Sequence, residues 1–170
     1  MKTLDLIVIE HALEWLTHNK PIWLCTVLHT YGSAPRSPGA LLVATEDGQY
    51  SGSLSGGCIE EDFLKQIAHR NFLEPSQVIR YGNGASDFRP NIQLPCGGSI
   101  DVLVEYIEPS SEQLSMLHDT LAALQGKIAL QKSVVLGQSA TLTPFTDALP
   151  QRVERSEDRI TINLQSCTTV

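Results

Sequence analysis

The stretch from Gly32 to Glu61 places the strongest constraint on the fold, because it alternates glycine-rich segments with a short apolar run. Residues 32–39 contain two prolines and two glycines, which do not fit inside a continuous helix or a central strand. The apolar run at 40–45 predicts a buried strand, and Asp47–Gly48 predicts a hairpin turn into a partner strand at 50–54. The stretch is therefore predicted to fold as a tight hairpin between two loops.

A helix is predicted directly after the glycine turn at residues 55–57, because apolar residues recur there every four positions along one face. These residues are Ile59, Phe63 and Ile67. The unpaired N–H groups and the dipole of such a helix start favour negative charge, including a thiolate at Cys58. Cys58 is therefore a candidate nucleophile or soft ligand. The alternative is a plain strand-to-helix turn in which Cys58 is a small core residue.

A second cysteine lies on a similar turn, in the segment Cys96-Gly97-Gly98, directly before an alternating strand predicted at 100–107. Two glycine turns that each carry a cysteine, in one small domain, favour a common pocket lined by both backbones.

The remaining pattern predicts an α+β fold, with a mainly antiparallel or mixed sheet and three helices packed on it, because hairpin turns outnumber helical crossovers. The helices are predicted near 4–19, 58–70 and 110–125, and further strands at 22–31, 77–81, 129–136, 140–145 and 159–164. A capping box is predicted at Ser110 and Gln113. We expect His11 on the surface, Cys25 in the core, and an exposed charged turn from Arg152 to Arg159.

Composition excludes several classes of protein. A net charge of −7 and a pI of about 5.1 argue against a nucleic-acid partner, which needs a basic face to neutralise phosphates. No apolar run is long enough to span a bilayer, and acidic residues interrupt the N-terminal one, so we predict a cytoplasmic protein with no membrane partner. The four cysteines lack a C-x-x-C pair, which argues against structural zinc and predicts free thiols.

With these motifs in view, the sequence resembles the XdhC/CoxI family of maturation chaperones for molybdenum hydroxylases such as xanthine dehydrogenase. The resemblance rests on four segments, at 32–36, 39–43, 52–60 and 94–102, which lie in the first two thirds of the chain.

The resemblance implies a domain organisation. It predicts one XdhC/CoxI-like domain over 1–170, with a motif-bearing core at 1–108 and a continuation of helix and strands at 109–170. Family members usually carry a Rossmann-like domain after such a continuation, and this sequence shows no glycine fingerprint of one.

The resemblance also implies a function. The expected protein binds the molybdenum cofactor, protects it, and delivers it to an apo molybdenum hydroxylase of the xanthine dehydrogenase type. It would be an accessory factor and not an enzyme, would self-associate as a homodimer, and would have a cysteine desulfurase as a further partner.

Molybdopterin is anionic, so backbone N–H groups, a helix N-terminus and a guanidinium would suit it. Thiolates at Cys58 and Cys96 are candidate contacts to molybdenum or its sulfido ligand. The alternative for Arg36 is a solvated loop charge. The candidate cofactor-binding residues are Gly32, Ser33, Arg36, Ser55, Gly56, Gly57, Cys58, Cys96, Gly97 and Gly98.

Two functions from other classes compete with the chaperone. One is a hydrolase in which Cys58 is the nucleophile and His29 or Glu60 is the base. The other is a non-catalytic interaction module whose acidic surface docks a partner.

Overall fold

The computed structural model describes residues 3–31, 37–54, 58–82, 99–144 and 153–164. Within these ranges three helices and two antiparallel sheets form an α+β architecture, as predicted. The helices are α1 (Leu4–Thr17), α2 (Cys58–Ala68) and α3 (Ser111–Leu124). None of the helices described is both long and apolar enough to cross a membrane.

The first sheet has five strands in the order β3-β2-β1-β5-β4, and each neighbouring pair is antiparallel. Its strands are β1 (Ile22–Tyr31), β2 (Leu41–Thr45), β3 (Tyr50–Gly52), β4 (Gln77–Gly82) and β5 (Ser99–Ile107). The predicted strands at 22–31 and 100–107 and the hairpin turn at Asp47–Gly48 are confirmed.

The second sheet has four strands in the order β7-β6-β9-β8 and is also antiparallel. Its strands are β6 (Leu130–Val135), β7 (Thr141–Pro144), β8 (Val153–Arg155) and β9 (Arg159–Leu164). The prediction of an exposed turn from Arg152 to Arg159 was wrong, because β8 pairs with β9 and the turn is confined to residues 156–158. Two of the three β8 residues are charged, so this short edge strand has no apolar pattern that would predict it from the sequence.

The first sheet lies between two layers. Its one face packs against α2 through a core that includes Trp23, Phe63 and Tyr81, each almost completely buried. Its other face packs against α1 and α3, and, through Leu28 and Leu103, against the second sheet. A fully buried side chain of this size contributes roughly 2 to 3 kcal/mol, so these two interfaces supply most of the stability.

The helix caps agree with the sequence pattern, but one surface prediction does not. Ser110 caps α3 by accepting a hydrogen bond from the Gln113 N–H at 3.1 Å, which confirms the Ser110 half of the predicted capping box. The prediction that His11 is a solvated residue was wrong. His11 is half-buried, lies 2.8 Å from the Ser51 hydroxyl of β3 through Nδ1, and stacks on Trp15.

We expect Gly52→Ala to lower the free energy of unfolding by about 3 kcal/mol or more, because a methyl group there adds a steric clash to backbone strain. Gly52 has a φ of +99°, and a Cβ atom would lie 2.4 Å from the Leu41 carbonyl oxygen and 2.7 Å from Val8 Cγ2. The control is Gly48→Ala, whose φ of +92° is similar but which faces open space. The control should lose only about 1 to 2 kcal/mol in urea unfolding. Equal losses would contradict the role assigned to close packing at Gly52.

Candidate functional site

The segments that carry the glycine motifs begin and end at one end of the first sheet. Tyr31, the last residue of β1, lies opposite Ser99, the first residue of β5. Ser99 in turn lies opposite Gly82, the last residue of β4. The attachment points of segments 32–36 and 83–98 are therefore side by side on three adjacent strands.

The third glycine segment, at 55–57, comes shortly after a strand that ends at the same end of the sheet. β3 ends at Gly52 opposite Leu42, close to the start of β2. Because β2 runs antiparallel to β1, the start of β2 points in the same direction as the end of β1. β1 continues five residues beyond Thr26, which pairs with Leu41. The end of β1 therefore projects beyond the start of β2 at this end of the sheet.

Helix α2 is bonded to β4 near this end of the sheet. Asp62, one helical turn after Cys58, accepts a buried hydrogen bond of 2.9 Å from the Tyr81 hydroxyl, near the end of β4. The start of α2 is thereby held near the strand ends where the segments 32–36 and 83–98 attach. The prediction that Cys58 lies at a helix N-terminus is confirmed, because α2 begins at Cys58.

Glu60 fixes the chain that enters the helix. Its side chain is almost completely buried, and Oε2 accepts hydrogen bonds from the Ser53 hydroxyl at 3.0 Å and from the Leu54 N–H at 3.2 Å. A carboxylate in the first turn of a helix is also stabilised by the helix dipole. Glu60 is therefore a structural anchor of Ser53 and Leu54, and these bonds engage the carboxylate that a hydrolase would need as a base.

An ionic cluster lies two residues from the start of β5. Asp101 is 2% exposed and accepts from Arg80 at 2.5 Å (Nε) and 2.9 Å (Nη2), and from Arg155 Nη1 at 2.9 Å. Burial of Asp101 opposes its ionisation, but the hydrogen bonds and charges of the two arginines outweigh that effect and hold its pKa below the ordinary value. The cluster joins the two sheets, because Arg155 comes from β8.

Most of the predicted cofactor-binding residues lie outside the described residues. They are Gly32, Ser33, Arg36, Ser55, Gly56, Gly57, Cys96, Gly97 and Gly98. Their role stays a prediction, as does the proximity of Cys96 to Cys58. Within the described part of the chain, no group of three His, Cys, Asp or Glu side chains could hold a metal ion.

Cys25 is excluded from the site, as predicted. It is fully buried in the core beneath α2, and burial, followed by the charge of Glu105, raises the pKa of its thiol well above the ordinary value. A neutral, inaccessible thiol is unsuited to ligand binding.

The sequence interpretation missed the ionic cluster. Arg80 and Asp101 each lie between apolar residues of a strand, which is a signal that the two charges pair in the sheet. Nothing in the sequence indicates Arg155 as their partner, because it belongs to the other sheet and lies 54 positions from Asp101.

We expect Glu60→Ala to lower the free energy of unfolding by about 1 to 3 kcal/mol, because it leaves the buried Leu54 N–H without its acceptor. Amide hydrogen exchange at Leu54 should accelerate at the same time. The matched control is Glu61→Ala, the adjacent but exposed acid of the same helical turn, which should change stability by less than about 0.5 kcal/mol. If the two variants behaved alike, Glu60 would not anchor Ser53 and Leu54.

We expect Asp101→Asn to lower the free energy of unfolding by about 2 kcal/mol at neutral pH, because hydrogen bonds to charged groups are lost. The folded pKa of Asp101 is depressed, so its contribution is complete above the unfolded pKa of about 3.9 and disappears as the pH falls through the lower folded value. The difference between parent and variant should therefore narrow below about pH 4. Asp119→Asn, on the exposed face of α3, serves as the control in urea unfolding across this pH range. A difference that does not vary with pH would contradict the assignment.

Comparison with known proteins finds a family match over part of the chain. The model of the XdhC and CoxI family matches residues 15–82. The molybdenum cofactor insertion chaperone PaoD of Escherichia coli (strain K12) is 33% identical over 111 residues, which make up 65% of this chain and 34% of PaoD. A Bacillus subtilis (strain 168) protein, named as a probable component of xanthine dehydrogenase, is 34% identical over 85 residues, 49% of this chain and 26% of that protein. The matches therefore span about a third or less of these curated relatives.

A solved structure shares the fold. The crystal structure of a xanthine dehydrogenase from Bacillus halodurans aligns with 96% of this chain and 53% of its own, with a TM-score of 0.63 and 20% sequence identity. At this identity the likeness concerns the fold alone. The resemblance to the XdhC and CoxI family is confirmed by the family match over residues 15–82 and by the curated relatives.

Proposed function

We propose that this protein binds the molybdenum cofactor and inserts it into an apo enzyme of the xanthine dehydrogenase type. The observation that carries the proposal is the topology of the first sheet, which attaches all three glycine segments at one end, next to the start of α2. The family match and the relative PaoD, which is named a cofactor insertion chaperone, support this choice of ligand.

The described residues fit an anionic ligand with a soft metal. Cys58 is the first residue of α2, where unpaired N–H groups and the helix dipole favour a thiolate and other negative charge. Glu60 holds Ser53 and Leu54 in place, so the end of the chain segment that leads toward α2 is fixed before any ligand arrives. The bound cofactor would bring the molybdenum centre that the target enzyme uses in catalysis, and the chaperone would hold and release it.

In this proposal the glycine segments supply two kinds of contact to the ligand. Backbone N–H groups at Gly56, Gly57, Gly97 and Gly98 would approach the ligand closely, because no side chain intervenes. Arg36 would contribute a positive charge. A homodimer and a cysteine desulfurase partner remain predictions from the family resemblance.

We expect Cys58→Ser to reduce cofactor retention more than Cys96→Ser, because only Cys58 benefits from the helix N-terminus. The measurement is cofactor stoichiometry and thiol alkylation rate in protein purified anaerobically from cells that make molybdopterin. Cys25→Ser and Cys167→Ser are the controls and should retain the cofactor at the parent level, apart from any loss of stability in the buried Cys25 variant.

The outcomes separate the competing functions. Retention at the parent level in all four variants would reject the thiol contacts and leave the binding to Arg36 and the glycine backbone. Parent protein that purifies without any pterin absorption, and that fails to activate a cofactor-free xanthine dehydrogenase, would reject the chaperone. Binding to the apo enzyme without cofactor would then favour the interaction module.

A further inference from the structure

A small cavity lies between the first sheet and the second. It has a volume of about 10 Å³, which is about the room that one water molecule needs. Three of its lining residues carry polar side chains: Thr26 of β1, Thr120 of α3 and Lys132 of β6. The other lining residues are apolar or glycine and come from α1, β1, β2, β9 and the turn before β2. The wall of the cavity is therefore largely apolar, with three polar groups on it.

The hydroxyl group of Thr26 is the polar atom of this cavity that most needs a partner. Thr26 lies between Leu24 and Leu28 on the inner face of β1 and is only 1% exposed. Within the described residues, its Oγ1 is the one buried side-chain oxygen or nitrogen without a hydrogen bond. A buried hydroxyl without a partner destabilises the fold, because it has lost the hydrogen bonds that it makes with solvent in the unfolded chain. A partner inside the cavity would remove that cost.

Lys132 and Thr120 supply complementary groups. Lys132 is buried, and its ammonium group carries three N–H donors, one of which binds the Glu105 carboxylate. The Thr120 hydroxyl donates to the Met116 carbonyl oxygen at 2.8 Å, so its own oxygen can still accept. Within the part of the chain that the structure describes, these two side chains make no other hydrogen bond. The cavity therefore offers donors from Lys132 and an acceptor from Thr120.

A single water molecule satisfies all three groups. Water has two donors and two acceptor lone pairs, so it can accept from Lys132 Nζ and from the Thr26 hydroxyl and donate to Thr120 Oγ1. Three hydrogen bonds are typical of a buried water in a protein. A cavity with only apolar walls stays dry, whereas one that holds several polar groups retains its water.

We propose that Thr26, Lys132 and Thr120 bind one buried water molecule between the two sheets. The water links β1, where the first glycine segment attaches, to α3 and to β6. These elements are distant in the chain, so the site exists only in the folded protein. None of the three residues belongs to the proposed cofactor site, so failure of this proposal does not bear on cofactor retention at Cys58.

The test counts slowly exchanging water molecules by ¹⁷O magnetic relaxation dispersion in the full chain and in Thr26→Val, which replaces the hydroxyl by a methyl group. We expect the dispersion of Thr26→Val to lose the contribution of one water molecule. Its unfolding equilibrium constant in urea should rise about 3- to 10-fold, because a hydrogen bond to the buried water is lost. Thr26→Ser keeps the hydroxyl and should keep the water.

The matched control is Thr45→Val. Thr45 is 2% exposed and thus similarly buried, but it does not line the cavity, and its hydroxyl binds the Asp47 carboxylate. Its replacement should leave the dispersion at the parent level. An unchanged dispersion in Thr26→Val would overturn the proposal, since no water would then depend on this hydroxyl. Greater stability of Thr26→Val would also overturn it, because removing a hydroxyl that has no partner stabilises the fold. The urea curve of each variant shows whether it is folded.

Discussion

The pairing of β1 with β2 on one side and with β5 on the other is the constraint on which the rest of the structure depends. β1 is buried on both faces from Ile22 to Leu28, so its backbone polar groups have no water to bind and must pair with other strands. Because both neighbours are antiparallel, the strand ends next to the glycine segments point in one direction. The apolar face of α2, with Asp62 bonded to Tyr81, then sets the start of that helix beside them.

The second sheet is held in place by an apolar contact that has a polar contact on either side of it along β5. Asp101, Leu103 and Glu105 alternate along β5 and share a face. Leu103 packs in the core between the sheets, Asp101 binds Arg155, and the buried Glu105 pairs with the buried Lys132. Moving the second sheet by one residue would leave a buried charge without its partner, which costs about 3 to 5 kcal/mol. The apolar contact therefore stabilises the docking, and the two ion pairs make its register specific. The same docking brings Arg155 to Arg80, so the cluster at the edge of the site is a product of this interface.

Local patterns predicted most of the secondary structure and part of the site. The helix at Cys58, the cap at Ser110 and the hairpin at Asp47–Gly48 depend on neighbouring residues only, and all three are confirmed. The predictions for His11 and for the segment 153–155 were wrong because both depend on distant partners. His11 meets Ser51 across 40 positions, and β8 forms only because β9 offers it a strand edge. Glu60 was considered as a base, and only the structure shows that it anchors Ser53 and Leu54.

The sequence by itself determined the α+β class, the positions of the helices, the family resemblance, and the start of a helix at Cys58, because periodicity, capping and glycine motifs are local properties of the chain. The tertiary structure alone decided that three glycine segments attach at one end of a sheet, since strand order and direction arise from pairing between distant segments. It also decided that a bulge in β1 places His29 opposite Asp101 and that Arg155 meets Arg80. These contacts join residues far apart in the chain, and burial of the shared core is what brings them together.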